Sequence, residues 1–247
     1  MIRIIKNHEP VELTKYREKQ PIDGWRPAYG EMSRIESEHY NADGTSINLH
    51  DYVLSMLIKE QGGLCAYCMC RIPEVDRRTG TIRKATIEHI IPQSVTRNTK
   101  DWKQELRYSN FLAVCSGNSG NGVLCCDKKR ENRCLSLNPL DENSIRGIAY
   151  SNSGTIKAID SLPNKEVIDK ELNDVLNLNE GKDLKEKRRR ALNIMVQVLQ
   201  KNGEDQKVDV CKRKLAALKG EKNHKMEYVG ILIFWLEKHI WKLEKSV

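Results

Sequence analysis

The chain has 247 residues, 39% of them apolar and 31% charged, with 42 lysines and arginines against 34 aspartates and glutamates. That length suits one large domain or two small ones with a real core, and the longest apolar run, Val229–Leu236, is far short of the roughly 20 residues of a membrane span. The opening MIRIIKNHEP is too charged for a secretory signal, so a cytoplasmic protein is expected, and the net charge of +8 points to an anionic partner such as nucleic acid.

Along the chain, residues 1 to about 45 are mixed and polar, punctuated by Pro10, Pro21 and Pro27, and predict no stable element. NLHDYVLSMLIKEQGG then predicts a helix: Leu49, Val53, Met56, Leu57 and Glu60 follow helical spacing, and Gly62 and Gly63 stop it. It delivers the chain into Cys65-Ala-Tyr-Cys68. TIRKATIEHII alternates β-branched and polar residues and predicts one strand; NFLAVC is a short apolar run ending at Cys115. SGNSGNG reads as a flexible loop, and CDKKRENRC opens a short helix with Asp127 in its first turn. IRGIAYSNSGTIKAID predicts a hairpin turning at Asn152-Ser153-Gly154. The rest is helical: Leu184, Leu192, Met195 and Leu199 share one face, and Val229, Leu232, Ile233, Leu236, Ile240 and Leu243 another. The expected fold class is α+β, organised as an N-terminal segment (1–48) with a possible partner contact, a central core (49–140), and a hairpin plus helical region (141–247).

Seven of the eight cysteines lie between Cys65 and Cys134. Without an export signal, such clustering reads as a metal site rather than disulfides. Cys65-x-x-Cys68 is a zinc-knuckle spacing, in which a tight turn lets two thiolates converge on one tetrahedral ion. Cys115 and either Cys125 or Cys126 are the candidates for the other two ligands. A four-cysteine site keeps no open position, so it is expected to be structural.

The same segment holds 13 lysines and arginines against 7 acidic residues. Within it, His89 closes a strand with Glu88 before it, Asn110 follows in a loop, and Asp127 lies on a helix. That is the order of a ββα-metal nuclease. Phosphodiester hydrolysis needs a base to activate water, a hard cation to meet the charge developing on phosphate, and a group that orients the base. Histidine suits the first role, carboxylates suit Mg²⁺ or Mn²⁺, and an asparagine amide can fix the loop or the imidazole. The remaining histidines lack partners at metal spacing and read as surface or packing residues.

EQGGLCAYCMCRI, IEHIIPQS, YSNFLAVCSGN and CCDKKRENRCLSLNPL resemble the successive motifs of zinc-stapled HNH endonucleases, and more narrowly the bacterial anti-phage nucleases of the PtuB type, found in Septu systems and with some retrons. MIRIIKNHEPVELTKYR and LNDVLNLNEGKDLKEKRRRAL extend the likeness, so that it covers residues 1 to about 200. The resemblance implies a zinc-stapled ββα-metal HNH nuclease core. His89 would be the general base, Asn110 the middle asparagine of the motif, and Glu88 a catalytic residue and ligand of the divalent ion. Asp127 stands where the family commonly has histidine or asparagine, and would be the second ligand. The pattern of a cysteine followed directly by that ligand favours Cys126 for zinc, alongside Cys65, Cys68 and Cys115. Lys129 and Arg130 would contact phosphate, or else form an exposed basic helix end.

The resemblance further implies an ATPase subunit of the PtuA type as partner, and for some relatives a retron reverse transcriptase with its msDNA. DNA is the usual substrate of such nucleases; RNA, including tRNA, is the alternative. Lys185, Lys187 and Arg188–Arg190 offer phosphate contacts or a solvated face, and Trp235 and Trp241 on the last helix suggest a partner surface. A different reading, a non-catalytic zinc module that binds nucleic acid or bridges proteins, keeps the cysteines but gives Glu88, His89 and Asp127 no task.

Overall fold

The structure, a computed structural model, describes residues 1–40, 44–75, 82–83, 85–97, 101–117 and 123–245. It is mixed α+β, with two-stranded antiparallel sheets set among helices. The N-terminal segment does form elements. Pro10 precedes α1 (Val11–Arg17), where its missing N–H costs nothing. Leu13 and Tyr16 face inward from it, and the Tyr16 hydroxyl donates to the Ala28 carbonyl at 3.0 Å. A 3-10 turn at Tyr29–Arg34 leads into β1 (Glu36–Tyr40), paired with β2 (Ser46–Asn48).

Helix α2 (Leu49–Glu60) lies where its periodicity places it. The Asn48 side chain caps it by accepting from Asp51 N at 2.9 Å. Leu49, Val53 and Leu57 are fully buried, each contributing roughly 1.5–3 kcal/mol of transfer free energy. Gly62 and Gly63 stop it at φ 66° and 75°.

The run TIRKATIEHII is two strands, not one. β3 (Glu74–Val75) pairs with β4 (Ile82–Arg83), whereas β5 (Thr86–His89) pairs with β6 (Phe111–Val114). The backbone changes partner after Arg83, so alternation alone made one element of two ladders. Between β5 and β6 come the short helix α3 (Gln93–Thr96) and 3-10 turns at Trp102–Leu106 and Tyr108–Asn110. Of the loop SGNSGNG, residues 118–122 lie outside the described ones. Then come α4 (Cys126–Arg130) and α5 (Glu142–Arg146), the latter capped by Asp141.

The predicted hairpin is present as β7 (Ile148–Tyr150) and β8 (Ile156–Ala158). Its turn glycine, Gly154, stands at φ 87°, and a Cβ there would run into the Lys185 carbonyl and lie 2.9 Å from Arg189 N. Helix α6 (Lys165–Lys170) continues through a π turn at Glu171–Val175, and is followed by α7 (Leu184–Lys201), α8 (Val208–Gly220) and α9 (Val229–Lys245).

Helix α7 buries Leu184, Leu192, Met195 and Leu199 as expected, but also Arg188. Arg188 is no phosphate contact: it donates to the carbonyls of Gly154 (2.6 Å) and Leu178 (2.7 Å) and to Asn179 Oδ1 (3.1 Å). Lys185, Lys187, Arg189 and Arg190 stay exposed. Helix α9 buries Val229, Leu232, Leu236 and Ile240, with Ile233 and Leu243 half-buried. Trp235 stacks on His239, whereas Trp241 is 55% exposed. Buried side chains from the N-terminal segment, the centre and the helical region form one continuous core. Among the described residues no helix is long and apolar enough to cross a membrane.

Candidate active site and metal centre

The Cys65–Cys70 turn closes on itself, with Cys65 N donating to the Cys70 carbonyl at 2.9 Å and Met69 N to the Cys65 carbonyl at 3.0 Å. It points Cys65 and Cys68 at Cys115, which directly follows β6, and at Cys126, the first residue of α4. Cys126 stands at φ 54°, in the left-handed region that is costly for a non-glycine residue. Its N–H is anchored on the Leu176 carbonyl at 2.9 Å.

The sulfurs of Cys65, Cys68, Cys115 and Cys126 all lie within 4.8 Å of one another, and all four residues are buried. Tetrahedral zinc with Zn–S near 2.3 Å sets its sulfurs about 3.8 Å apart. Cys65–Cys126 is 3.9 Å and Cys68–Cys115 is 3.8 Å, so the set fits a metal such as zinc. Neighbouring thiols, Cys125 and Cys126 first, hold the Cys115 thiol far below the usual range. Cys125 is buried against Cys115 but stands outside the four, and Cys70 lies 3.3 Å from Cys68. All eight cysteines are free of disulfides.

Next to Cys126, through Asp127, lies a cleft of about 290 Å³ whose lining includes Glu88, His89, Gln93, Arg97, Asp127 and Glu131. Glu88 and His89 come from β5, where they pair with Leu112 and Phe111 of β6. Asp127 comes from the first turn of α4. The Glu88 and Asp127 carboxyls are in hydrogen-bond contact. Burial first, and then the Asp127 charge, push the Glu88 carboxyl up to about 8 against the pull of Arg130. Two carboxyl groups that cannot both ionise cheaply share a proton or hold a cation between them. The pair therefore fits a hard divalent ion.

Arg130 is placed differently from the sequence expectation. It is 1% exposed and does not line the cleft. Its guanidinium pairs with Glu88 Oε1, and donates to the carbonyls of His89 (2.7 Å), Ile90 (2.6 Å) and Arg133 (2.8 Å) and to the Tyr67 hydroxyl (3.2 Å). With its donors consumed inside the fold, Arg130 holds the end of β5 to α4 and is not a phosphate contact. Lys129 is partly exposed on α4 and does not line the cleft either.

His89 is 5% exposed, with its ring between Tyr29 (centroids 4.5 Å apart) and Phe111 (5.0 Å), both edge-on. Its Nε2 lies 3.0 Å from the Glu105 carbonyl, an acceptor only, so Nε2 carries the proton and Nδ1 the lone pair. Burial, helped by the charges of Arg130 and Arg97, lowers the imidazole to about 4. It is therefore neutral at physiological pH. Gln93 Nε2 approaches Nδ1 at 3.4 Å.

Asn110 is buried and acts on the loop rather than on the imidazole. Its Oδ1 accepts from Ile91 N at 2.8 Å, and its Nδ2 donates to the carbonyls of Ile91 and Gln104, both at 3.2 Å. This fixes the chain immediately after His89 to the turn that carries Glu105.

Sequence reasoning missed Tyr29, Tyr67, Gln93, Arg97 and Glu105 as site residues. Tyr67 could have been found, since a residue between two knuckle ligands has a fixed side chain; its hydroxyl donates to Glu88 Oε1 at 3.3 Å. Gln93 and Arg97, four apart after Pro92, have the spacing of one helix face. Nothing local marks Tyr29, whose hydroxyl bonds His50 Nε2 at 3.1 Å while His50 Nδ1 meets Asp51 at 3.0 Å. Compared with known proteins, the chain matches no family model and no curated protein.

Proposed function

We propose that the chain is a metal-dependent HNH endonuclease with a ββα-metal core, and that it hydrolyses phosphodiester bonds. One observation carries this: a neutral histidine, its lone pair assigned to Nδ1, shares a small cleft with a carboxyl pair, on two strands and a helix joined by four convergent thiols. Glu88 and Asp127 would hold Mg²⁺ or Mn²⁺, which when bound neutralises the negative charge growing on the phosphate. His89 Nδ1 takes the proton of a water whose oxygen bonds to phosphorus. The bond from phosphorus to the leaving oxygen breaks, and that oxygen is protonated from solvent. The Nε2–H bond to the Glu105 carbonyl supports the imidazolium as it forms, and Asn110 keeps that carbonyl in place. Zinc on the four cysteines would be structural.

The net charge of +8 supports a nucleic-acid substrate through phosphate contacts, with DNA as the first candidate and RNA or tRNA as the second. Following the resemblance to PtuB-type nucleases, we place the chain in anti-phage defence. There it would act with a PtuA-type ATPase subunit, and in some systems with a retron reverse transcriptase and its msDNA; exposed Trp241 on α9 is a candidate contact.

One observation favours the non-catalytic zinc module: Arg130 bonds Glu88 inside the fold, a contact that alone would give Glu88 a structural task. That reading leaves Asp127 and the oriented His89 without a role. The test incubates wild type and His89→Ala with Mg²⁺ or Mn²⁺ and the ATPase partner, on plasmid DNA and on total tRNA. Wild type is expected to cut at least one substrate, and the variant to lose about 10²–10⁴-fold, the worth of a general base. Equal inactivity of both proteins on both substrates, with nucleic-acid binding intact, would overturn the enzyme reading.

A further inference from the structure

The lone pair of His89 faces a side-chain amide as the cleft stands. Gln93 Nε2 is the polar group facing Nδ1, at 3.4 Å. Which end of the Gln93 amide faces the imidazole is decided by Arg97: its Nη2 donates to Gln93 Oε1 at 2.7 Å, so the amide must present its NH₂ end to His89. Arg97 is itself weakly tethered. Its side chain is 61% exposed, and its Nε stands 3.7 Å from Glu105 Oε2, a buried oxygen with no hydrogen bond among the described residues. The guanidinium also borders the cleft that holds Glu88, His89 and Asp127.

We propose that Gln93 is a positioning residue that caps the His89 lone pair in the resting protein, and that Arg97 is both the latch on that cap and a contact for the incoming phosphodiester. The inference rests on the nuclease reading for its purpose, though not for its geometry. Arg97 keeps Nε on Glu105 and swings Nη2 from Gln93 to a non-bridging phosphate oxygen, exchanging a neutral amide acceptor for a charged one, which makes the stronger bond. Gln93 loses its latch and leaves Nδ1. A water then takes the vacated lone pair with its O–H directed at nitrogen and its oxygen free to face phosphorus. The base is thus uncovered by the group it is to act on, and water in the empty cleft is not held against it.

The experiment uses the full chain and reads the cap without requiring turnover. The ¹⁵N resonance of His89 Nδ1 is followed in wild type, Gln93→Ala and Arg97→Gln, each with and without dimethyl phosphate as a minimal phosphodiester. The expected result is that Gln93→Ala and Arg97→Gln share a resonance position displaced from wild type, and that dimethyl phosphate moves wild type towards that position but leaves Arg97→Gln unmoved. One position for all three proteins, unchanged by dimethyl phosphate, would overturn the proposal. Displacement by Gln93→Ala alone would overturn the latch.

Cleavage assays then test the purpose. Gln93→Ala is expected to raise kcat/KM about two- to tenfold, the range of one neutral hydrogen bond. Arg97→Gln is expected to raise KM about tenfold and flatten the salt dependence, and Arg97→Lys, a cation without the fork, to restore binding but not the resting Nδ1 position. A resonance that behaves as described in a protein that cuts nothing would leave the cap standing and remove the nuclease reading; an active protein with an insensitive resonance would do the reverse.

Discussion

The thiol cluster and the carboxyl–imidazole cleft meet at helix α4 and have opposite characters. The cluster is closed: its four cysteines are buried, and their sulfurs stand at the spacing one tetrahedral ion requires. The cleft is open, its Glu88 raised and its His89 lowered from their ordinary ranges, and the Glu88 carboxyl is in contact with that of Asp127. Glu88, His89 and Asp127 each borrow their position from a neighbour in or beside the cluster. Tyr67 lies between Cys65 and Cys68 and donates to Glu88. Cys115 directly follows the strand that pairs with Glu88 and His89. Cys126 is bonded directly to Asp127. The comparison teaches that a polar, open site is held in place by a closed one a residue away, and that damage to either should be told apart by what is lost.

The largest effect expected is on the closed site. Cys126→Ser should abolish stoichiometric zinc and remove a metal-binding contribution on the order of 10–16 kcal/mol, melting the central core. Cys125→Ser, outside the four, should keep zinc and a near-native melting curve. Metal analysis with circular dichroism checks both, and zinc retained in Cys126→Ser would break the comparison.

Next comes the joint between the sites. Arg130→Met leaves Glu88 and three carbonyls without their buried cation, and above about pH 8, where Glu88 is ionised, should cost about 3–5 kcal/mol in denaturant unfolding. Adding Glu88→Gln should recover a substantial part of that loss. Equal destabilisation in the single and double variants would show that the ion pair is not what joins β5 to α4.

A smaller effect belongs to the open site. Glu88 is raised to about 8, so below that pH it carries a proton that a divalent ion must displace. Mn²⁺ affinity should therefore rise about tenfold per pH unit up to roughly pH 8 and then level off. Calorimetry in two buffers should register the released proton in wild type and not in Glu88→Gln. Least affected should be Lys129→Ala, which lies outside the cleft and should weaken nucleic-acid binding a few-fold, with the salt slope reduced by about one.

Half of the closed site was legible from local geometry, because a knuckle turn brings Cys65 and Cys68 together whatever surrounds it; the choice of Cys126 over Cys125 came from the family resemblance and not from spacing. Helix α2, the β7–β8 hairpin and the inward faces of α7 and α9 were legible for a similar reason, since periodicity and turn residues are local. Arg130 and Arg188 were not. Each reads as a basic residue on a helix, and its burial depends on carbonyls supplied from distant strands and turns, which no spacing announces. Tyr29 escaped for the same reason, being separated by 60 residues from the imidazole it covers. The break in TIRKATIEHII was invisible because alternation reports which face of a strand is buried and says nothing of which strand it pairs with.

Gly154 links the hairpin to α7 by leaving no room for anything else. Its backbone lies where a side chain would meet the Lys185 carbonyl and the Arg189 N–H, and its own carbonyl accepts from the buried Arg188. A chain that keeps this docking must keep both the hydrogen at position 154 and the guanidinium at 188, because either one alone leaves a collision or an orphaned cation. The two residues therefore form a fingerprint for the helical half, 34 positions apart, in the way that Cys65-x-x-Cys68 is a fingerprint for the centre. A relative that has lost one of them should have lost the other.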